Sequence, residues 1–322
     1  MSDLDGAIAL LRSATDVTLL AHVNPDADAL GSALALGLAL HRRGAKVRVS
    51  FGEPAEVPET LRPLDVEGLL VPADEVPMVA PLVVALDSGS LARLGPLGSR
   101  VTAAIEAGGQ VLVVDHHASN TRFGTHHVVD EHAVATAVLV AQLLDELGVE
   151  IDEHIAQCIY AGVLTDTGGF RRASPETHHL AARLVAAGVN PDTTARELEK
   201  HPFAYLPMLA AVLGRAVLVP EAVGGRGLVY TYVTQEDARD VRPEEIESVV
   251  DIVRTSREAE VAAVFKEIGP RRWSVSLRSV STLDVQEVAV GLGGGGHRRA
   301  AGYTAEGPVE PIIQTLLKAL PA

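Results

Sequence analysis

Residues 111–117 read Val-Leu-Val-Val-Asp-His-His, four apolar residues that stop abruptly at one carboxylate and two imidazoles. Bounded by Gly109 and Asp115, the run has the make-up of a strand buried on both faces of a parallel sheet. In open sheets of that kind, ligands bind in the crevice beyond the carboxyl ends of the strands. Asp115, His116 and His117 stand at such an end and are ligands for hard and borderline metal ions. A single triplet of this kind reads as a polar loop after a strand. Here it is repeated: similar residues stand at three other strand or helix ends.

Working outward, residues 17–21 (VTLLA) read as a first strand, followed at once by His22-Val-Asn24-Pro25-Asp26-Ala-Asp28. A helix is expected over 29–43, with Asp28 as its N-cap and Gly31 and Ser32 allowing close backbone approach near its N-terminus. Residues 46–51 are a second strand and 82–86 a third, with Asp87-Ser-Gly after it in the position that Asp115 takes later. A helix over 99–107 leads into the 111–114 strand. Helices over 133–147 and 152–164 come next, the second running into Thr165-Asp166-Thr167-Gly168-Gly169. Strands alternating with helices predict an α/β fold with a parallel sheet covered on both faces.

The pattern changes near Gly188. The expected division is a catalytic domain over 1–188, a helical linker over 189–214, and a smaller α+β domain over 215–322. In the last, strands are read at 216–219, 228–234, 259–266 and 273–278, and helices at 243–254, 284–290 and 309–320.

At 322 residues and 47% hydrophobic content, the chain buries a large core that divides naturally into two domains. Its net charge of −15 opposes binding of long nucleic acid by bulk charge. A short phosphorylated ligand held by local cations is compatible with it. The 23 arginines and 4 lysines suit bidentate phosphate contacts, although genomic base composition explains the bias equally well. Cys158 stands alone, which excludes an intrachain disulfide and fits a reducing cytoplasm. No signal pattern and no membrane-length apolar run is read, so a cytoplasmic location without membrane partners is expected.

His22, Asp26, Asp28, Asp87, Asp115, His116, His117 and Asp166 form one inventory of nitrogen and oxygen donors. They are too many for one tetrahedral zinc and include no thiolate. They suit two divalent ions bridged by a carboxylate, and oxygen-rich ligation favours Mn²⁺ or Mg²⁺. Such pairs activate water and clamp a phosphoryl group. A purely structural role would leave many desolvated carboxylates without counterions. His126, His127, His178 and His179 read as surface imidazoles, and His201 as either a helix start or a substrate contact. The four glycines at 293–296 permit a hinge, or a backbone concavity that binds an anion ahead of His297. Arg171, Arg172, Arg298 and Arg299 are not expected to touch ligand.

The combination resembles the DHH phosphoesterases. His22-x-Asn24-Pro25-Asp26-x-Asp28-x-x-Gly31-Ser32, Asp87, Asp115-His116-His117 and Thr165-Asp166-Thr167-Gly168 are similar to that family's four motifs. Leu277-Arg278-Ser279, Asp284-Val285, the 293–297 run and Ala300-Ala301-Gly302 resemble the associated DHHA1 domain. The resemblance implies one ion held by His22, Asp26 and Asp87, and another by Asp28, Asp87, His116 and Asp166. It gives His117 a contact with the scissile phosphate and Asp115 the orientation of neighbouring ligands. Arg278, Ser279, Gly294, Gly295, Gly296 and His297 become substrate-binding residues in a second domain closing over a cleft. Mn²⁺ is the expected metal, with Mg²⁺ or Co²⁺ as alternatives. The compact length resembles the bacterial nanoRNase and pAp-phosphatase subgroup. That implies hydrolysis of short oligoribonucleotides, 3′-phosphoadenosine 5′-phosphate (pAp) and the linear dinucleotide from cyclic di-AMP; a homodimer is compatible with the sequence. Three readings compete with it. A RecJ-like single-stranded DNA exonuclease is opposed by the charge, and a family II pyrophosphatase by the glycine–histidine motif. A non-catalytic nucleotide-binding regulator is opposed by the complete ligand set.

Overall fold

A computed structural model describes residues 3–281 and 283–321. The chain forms two compact units, Met1–Lys200 and His201–Ala322. The stretch read as a linker holds the helices Pro191–Leu198 and Tyr205–Gly214, one in each unit. Among the described residues no helix is long and apolar enough to cross a membrane.

The first unit runs α1 (Asp3–Ser13), β1 (Asp16–Ala21), α2 (Ala27–Arg42), β2 (Lys46–Phe51), β3 (Leu82–Leu86), α3 (Gly98–Glu106), β4 (Gln110–Asp115) and β5 (His126–Val129). Then come α4 (Thr136–Glu146), α5 (Glu153–Asp166), α6 (Pro175–Ala186) and α7 (Pro191–Leu198). The strands form one parallel sheet in the order β2-β1-β3-β4-β5. Strands β1, β3 and β4 are buried almost end to end, as their unbroken apolar runs require. Register pairs Leu20 with Ala85 and Leu86 with Val114, so the three strands finish at one edge. The loops that leave those three strands therefore meet there.

Helix α2 is buried all round and packs against α5. Gly31 makes this possible, because a Cβ there would lie 2.5 Å from the Cys158 carbonyl oxygen. Several features differ from the sequence reading. The cap of α2 is Asp26, whose carboxylate accepts from the Ala29 N–H at 2.9 Å, so the helix starts at Ala27 and Asp28 is inside its first turn. Helix α5 reaches Asp166, placing that residue at a helix end. His126 and His127 are half-buried residues of the edge strand β5, not surface imidazoles, because the pairing with β4 supplies order that four residues lack alone. Helix α6 lies under His178 and His179 and opens on a capping box at Ser174 and Thr177.

The second unit runs α8 (Tyr205–Gly214), β6 (Val217–Val219), the four-residue α9 (Ala222–Gly225), β7 (Leu228–Val233), α10 (Pro243–Val253), β8 (Val261–Gly269) and β9 (Arg272–Ser279). It closes with α11 (Val285–Gly291), β10 (Gly295–His297), β11 (Ala300–Glu306) and α12 (Val309–Ala319). Its six-stranded sheet has the order β10-β11-β9-β8-β7-β6, parallel between β7 and β8 and otherwise antiparallel. One face packs Phe265, Trp273, Val275, Leu277 and Tyr303 against residues of α11 and α12. On the other, α8 and α10 cover Val229, Val233, Ala262 and Val264. Along β9 buried residues alternate with half-buried Ser274, Ser276 and Arg278, which share that second face.

Candidate metal centre

The edge where β1, β3 and β4 finish gathers all eight donors named from the sequence. His22 follows β1, Asp87 follows β3, and Asp115, His116 and His117 close β4. Asp26 and Asp28 come from the start of α2, and Asp166 from the end of α5. His22 Nε2 lies 3.7 Å from Asp26 Oδ2 and 3.5 Å from Asp87 Oδ2. His116 Nε2 lies 3.4 Å from Asp87 Oδ1 and 3.2 Å from Asp166 Oδ2. Two donor groups stand out, His22 with Asp26 and Asp87, and Asp28 with His116 and Asp166. Asp87 also groups with His116 and His117, so it faces both sets.

These spacings fit metal ligation. Charge-assisted hydrogen bonds close to about 2.7–2.9 Å. Neighbouring donors about 2.1–2.5 Å from one ion stand roughly 3.0–3.5 Å apart when at right angles. The histidine tautomers agree. His22 Nδ1 meets the Val23 carbonyl at 2.8 Å and His116 Nδ1 the Ala133 carbonyl at 3.2 Å, leaving each Nε2 for an ion. In His117 the atom near Asp87 is Nδ1, and it is committed to Asp115 Oδ1 at 2.8 Å.

Electrostatics points the same way. Burial, then the charges of Asp87, Asp166 and Asp26, push Asp28 well above the usual carboxylate range. Burial also raises Asp166, against the pull of His116. Burial opposes charge on His22, yet the neighbouring carboxylates of Asp26 and Asp87 hold it up at about 10. His116 likewise stands at about 10, through Asp166 and Asp87 acting against burial. Against burial, His22 draws Asp26 down, but carboxyls pushed up beside imidazoles pushed up mark a cluster short of positive charge. Divalent cations fit this donor set.

Two residues that sequence reasoning missed position the ligands. Thr136, at the first turn of α4, donates its hydroxyl to Asp87 Oδ1 at 2.8 Å. Its N–H and that of Ala137 donate to the two oxygens of Asp28 at 2.7 and 2.9 Å, aiming a helix N-terminus at a buried carboxylate. Asp87 needs the support, because its φ of +53° is in the left-handed region that non-glycine residues rarely adopt. Asn120 donates to Asp115 Oδ2 at 2.6 Å, so both oxygens of that fully buried carboxylate are engaged. The only cue was position: Thr136 opens a helix, and Asn120 follows the histidines by a turn.

The expected substrate-binding residues lie in the second unit. Arg278, Gly294, Gly295 and Gly296 border a depression of about 510 Å³. Gly294 is required by close approach, since a Cβ would lie 2.1 Å from the Gly302 carbonyl oxygen. His297 is exposed and pairs with Ala300. Ser279 is buried, and its hydroxyl donates to Glu260 Oε1 at 3.1 Å. His201 packs structurally, 3.3 Å from Glu245 and stacked on Tyr205. Arg172 donates to the Asp166 backbone carbonyl.

Comparison with known proteins places the chain. The N-terminal domain of the DHH family matches residues 16–163, and the DHHA1 domain matches 225–321. The bifunctional oligoribonuclease and PAP phosphatase NrnA of Thermus thermophilus is 36% identical over 294 residues, covering 90% of this chain and 84% of that protein. An exopolyphosphatase-related protein from Bacteroides fragilis has the same fold, with a TM-score of 0.89 at 23% identity over 99% of this chain and 95% of that one. Exonuclease RecJ bound to manganese matches at a TM-score of 0.53 and 18% identity, over 99% and 94% of the two chains.

Proposed function

Because the chain belongs to the DHH phosphoesterase family, with a DHHA1 domain C-terminal to the catalytic one, we propose that it hydrolyses short oligoribonucleotides and pAp. The observation that carries the reading is the convergence of six donors on two groups that share the face of Asp87. The name and the extensive identity of the Thermus relative supply the substrate class. Linear dinucleotides from cyclic di-AMP fall in the same size range.

His22, Asp26 and Asp87 would hold one divalent ion, and Asp28, Asp87, His116 and Asp166 the other. Bound there, the ions supply a nucleophilic water at neutral pH and offset charge on the phosphoryl oxygens. Mn²⁺ suits a donor set that mixes imidazole with carboxylate. The chain's own residues do the rest. Asp115, itself held by Asn120, fixes the His117 ring and leaves Nε2 to donate to the phosphate that is cleaved. Thr136 keeps the shared carboxylate of Asp87 in place. Arg278, the 294–296 glycines and His297 would bind the end of the substrate that is not cleaved, limiting substrates to a few nucleotides, whereas the buried Ser279 hydroxyl is committed to Glu260. Residues 1–188 are then the catalytic domain and 215–322 the substrate-binding domain. The single buried Cys158 fits work in the cytoplasm.

Turnover decides the matter. With Mn²⁺ added, the protein should hydrolyse pAp and di- to pentaribonucleotides and leave long single-stranded DNA largely intact. Efficient degradation of the DNA, or no turnover of either short substrate, would overturn the reading.

A further inference from the structure

The half-buried face of the second sheet carries a cation that no sequence motif marks. Lys266 lies on β8 after five buried apolar residues, Val261 to Phe265, and is itself only 5% exposed. Its Nζ donates to Ser276 Oγ at 2.9 Å and to both carboxylate oxygens of Glu247 on α10. Register sets Lys266 opposite Ser274, on the face that Ser276 and Arg278 share. Lys266, Glu247 and Arg278 all border the depression walled by the 293–296 glycines.

Burying an ammonium is costly unless it is paired, and an apolar side chain would be cheaper at this point of β8. Burial does push the Lys266 pKa down, with the Arg278 charge adding to the effect and Glu247 opposing it. The pair is unequal: the Glu247 side chain is 61% exposed against 6% for Lys266. A carboxylate held mostly in water can swing away at little cost. Arg278 has no carboxylate within ion-pair distance among the described residues, and its Nη1 donates only to the Leu277 carbonyl. The depression is thus faced by two cations and one detachable anion. A terminal phosphate carries about −1.5 to −2 charges at neutral pH. It can neutralise both cations, whereas an internal phosphodiester brings a single charge. Ser274, Ser276 and Gly302, which line the depression, let such a group come close.

We propose that Lys266 is a specificity-determining residue that grips the terminal phosphate of a nucleotide together with Arg278, and that Glu247 occupies the ammonium until this phosphate displaces it. The inference rests on the phosphoesterase reading and deepens it, by naming the substrate group recognised and the internal competitor it must beat.

Equilibrium binding of pAp to the full-length protein, measured by calorimetry in EDTA so that no turnover occurs, tests it. Glu247→Gln removes the competitor and should tighten binding about 3- to 10-fold, less than the full loss of a charged contact. Lys266→Met should weaken it about 10-fold or more, and the double variant should bind like Lys266→Met alone. Unchanged or weaker binding by Glu247→Gln overturns the proposal, and that exposed substitution leaves the core untouched. So does a double variant that keeps the gain. Hydrolysis of pAp by the wild type with Mn²⁺ is followed in parallel. No turnover with the binding shifts intact would remove the phosphoesterase reading alone. Turnover without the Glu247→Gln shift would remove this inference alone.

Discussion

The two units prepare for anionic chemistry by opposite means. The first buries acids: Asp87 and Asp115 at the ends of parallel strands and Asp28 in the first turn of α2 are 0–3% exposed. None of Asp26, Asp28, Asp87 and Asp166 has a lysine or arginine within ion-pair distance among the described residues. The second unit keeps Arg278 without a carboxylate in ion-pair distance among the described residues and Lys266 with a solvent-exposed one, on the face of a sheet rather than at its edge. A carboxylate cluster is stable only when cations complete it, so the first unit is incomplete without metal. In the proposed reading, the second needs nothing added before a phosphate arrives.

The comparison breaks most severely at Asp87, the carboxylate both donor groups face. Asp87→Ala should abolish turnover and reduce the bound metal from two ions per chain, because both lose a ligand. Full activity, or a fully loaded wild type with one ion, would contradict the two-ion site. Next come the paired histidines. His117→Ala should lower kcat by about 10²–10⁴ with both ions retained, a range usual for a positioned proton-handling group. His116→Ala should lose metal instead. Equal metal loss in both variants would end that division of roles. Thr136→Val should weaken metal affinity about 10–100-fold, as loss of an outer partner of a ligand does, with Thr136→Ser restoring it. Metal titration that leaves the valine variant unchanged would show that the φ of Asp87 needs no such support.

Smaller effects belong to the second unit. Arg278→Ala should raise KM for pAp roughly 10- to 100-fold, the worth of a charge-assisted contact. Bis-p-nitrophenyl phosphate has no second phosphate and should lose far less. Equal losses on both substrates would mean that Arg278 acts on the chemical step. The smallest effect is on acid stability. Burial raises the Glu260 pKa, but hydrogen bonds from the Ser281 hydroxyl, the Leu283 N–H and the Ser279 hydroxyl bring it down to about 2. Its ordinary value is 4.5, so its contribution is present above that pH and is lost as pH falls from there towards 2. Glu260→Gln should therefore flatten the acid limb of stability in that window, read by melting temperature against pH. An unchanged limb would mean that the segment after β9 stands without this brace.

How much of this was legible in the sequence depends on the range of the forces involved. An apolar run that ends in Asp-His-His states its own burial and its own exit, so β1, β3, β4 and the residues after them could be read directly. The cap of α2 could not, because Asp26 and Asp28 are both good caps, and only packing against α4 and α5 decided which was buried. Strands β5, β10 and β11 were missed for another reason. Two are only three or four residues long, and the glycines of β10 and its partner erase the alternation that marks a strand.

The sequence by itself determined the inventory: eight nitrogen and oxygen donors, an arginine, a glycine run, and the order in which they occur. Each of those is a local property, carried by residue type and by the hydrophobic pattern beside it. Only the tertiary structure decided which groups hold them in place. Thr136 meets Asp87 across 49 residues and Asp28 across 108, and Lys266 meets Glu247 across 19. Contacts of that separation form because parallel strands share an edge and helices pack onto the sheet, and neither is written in the residues that make the contact.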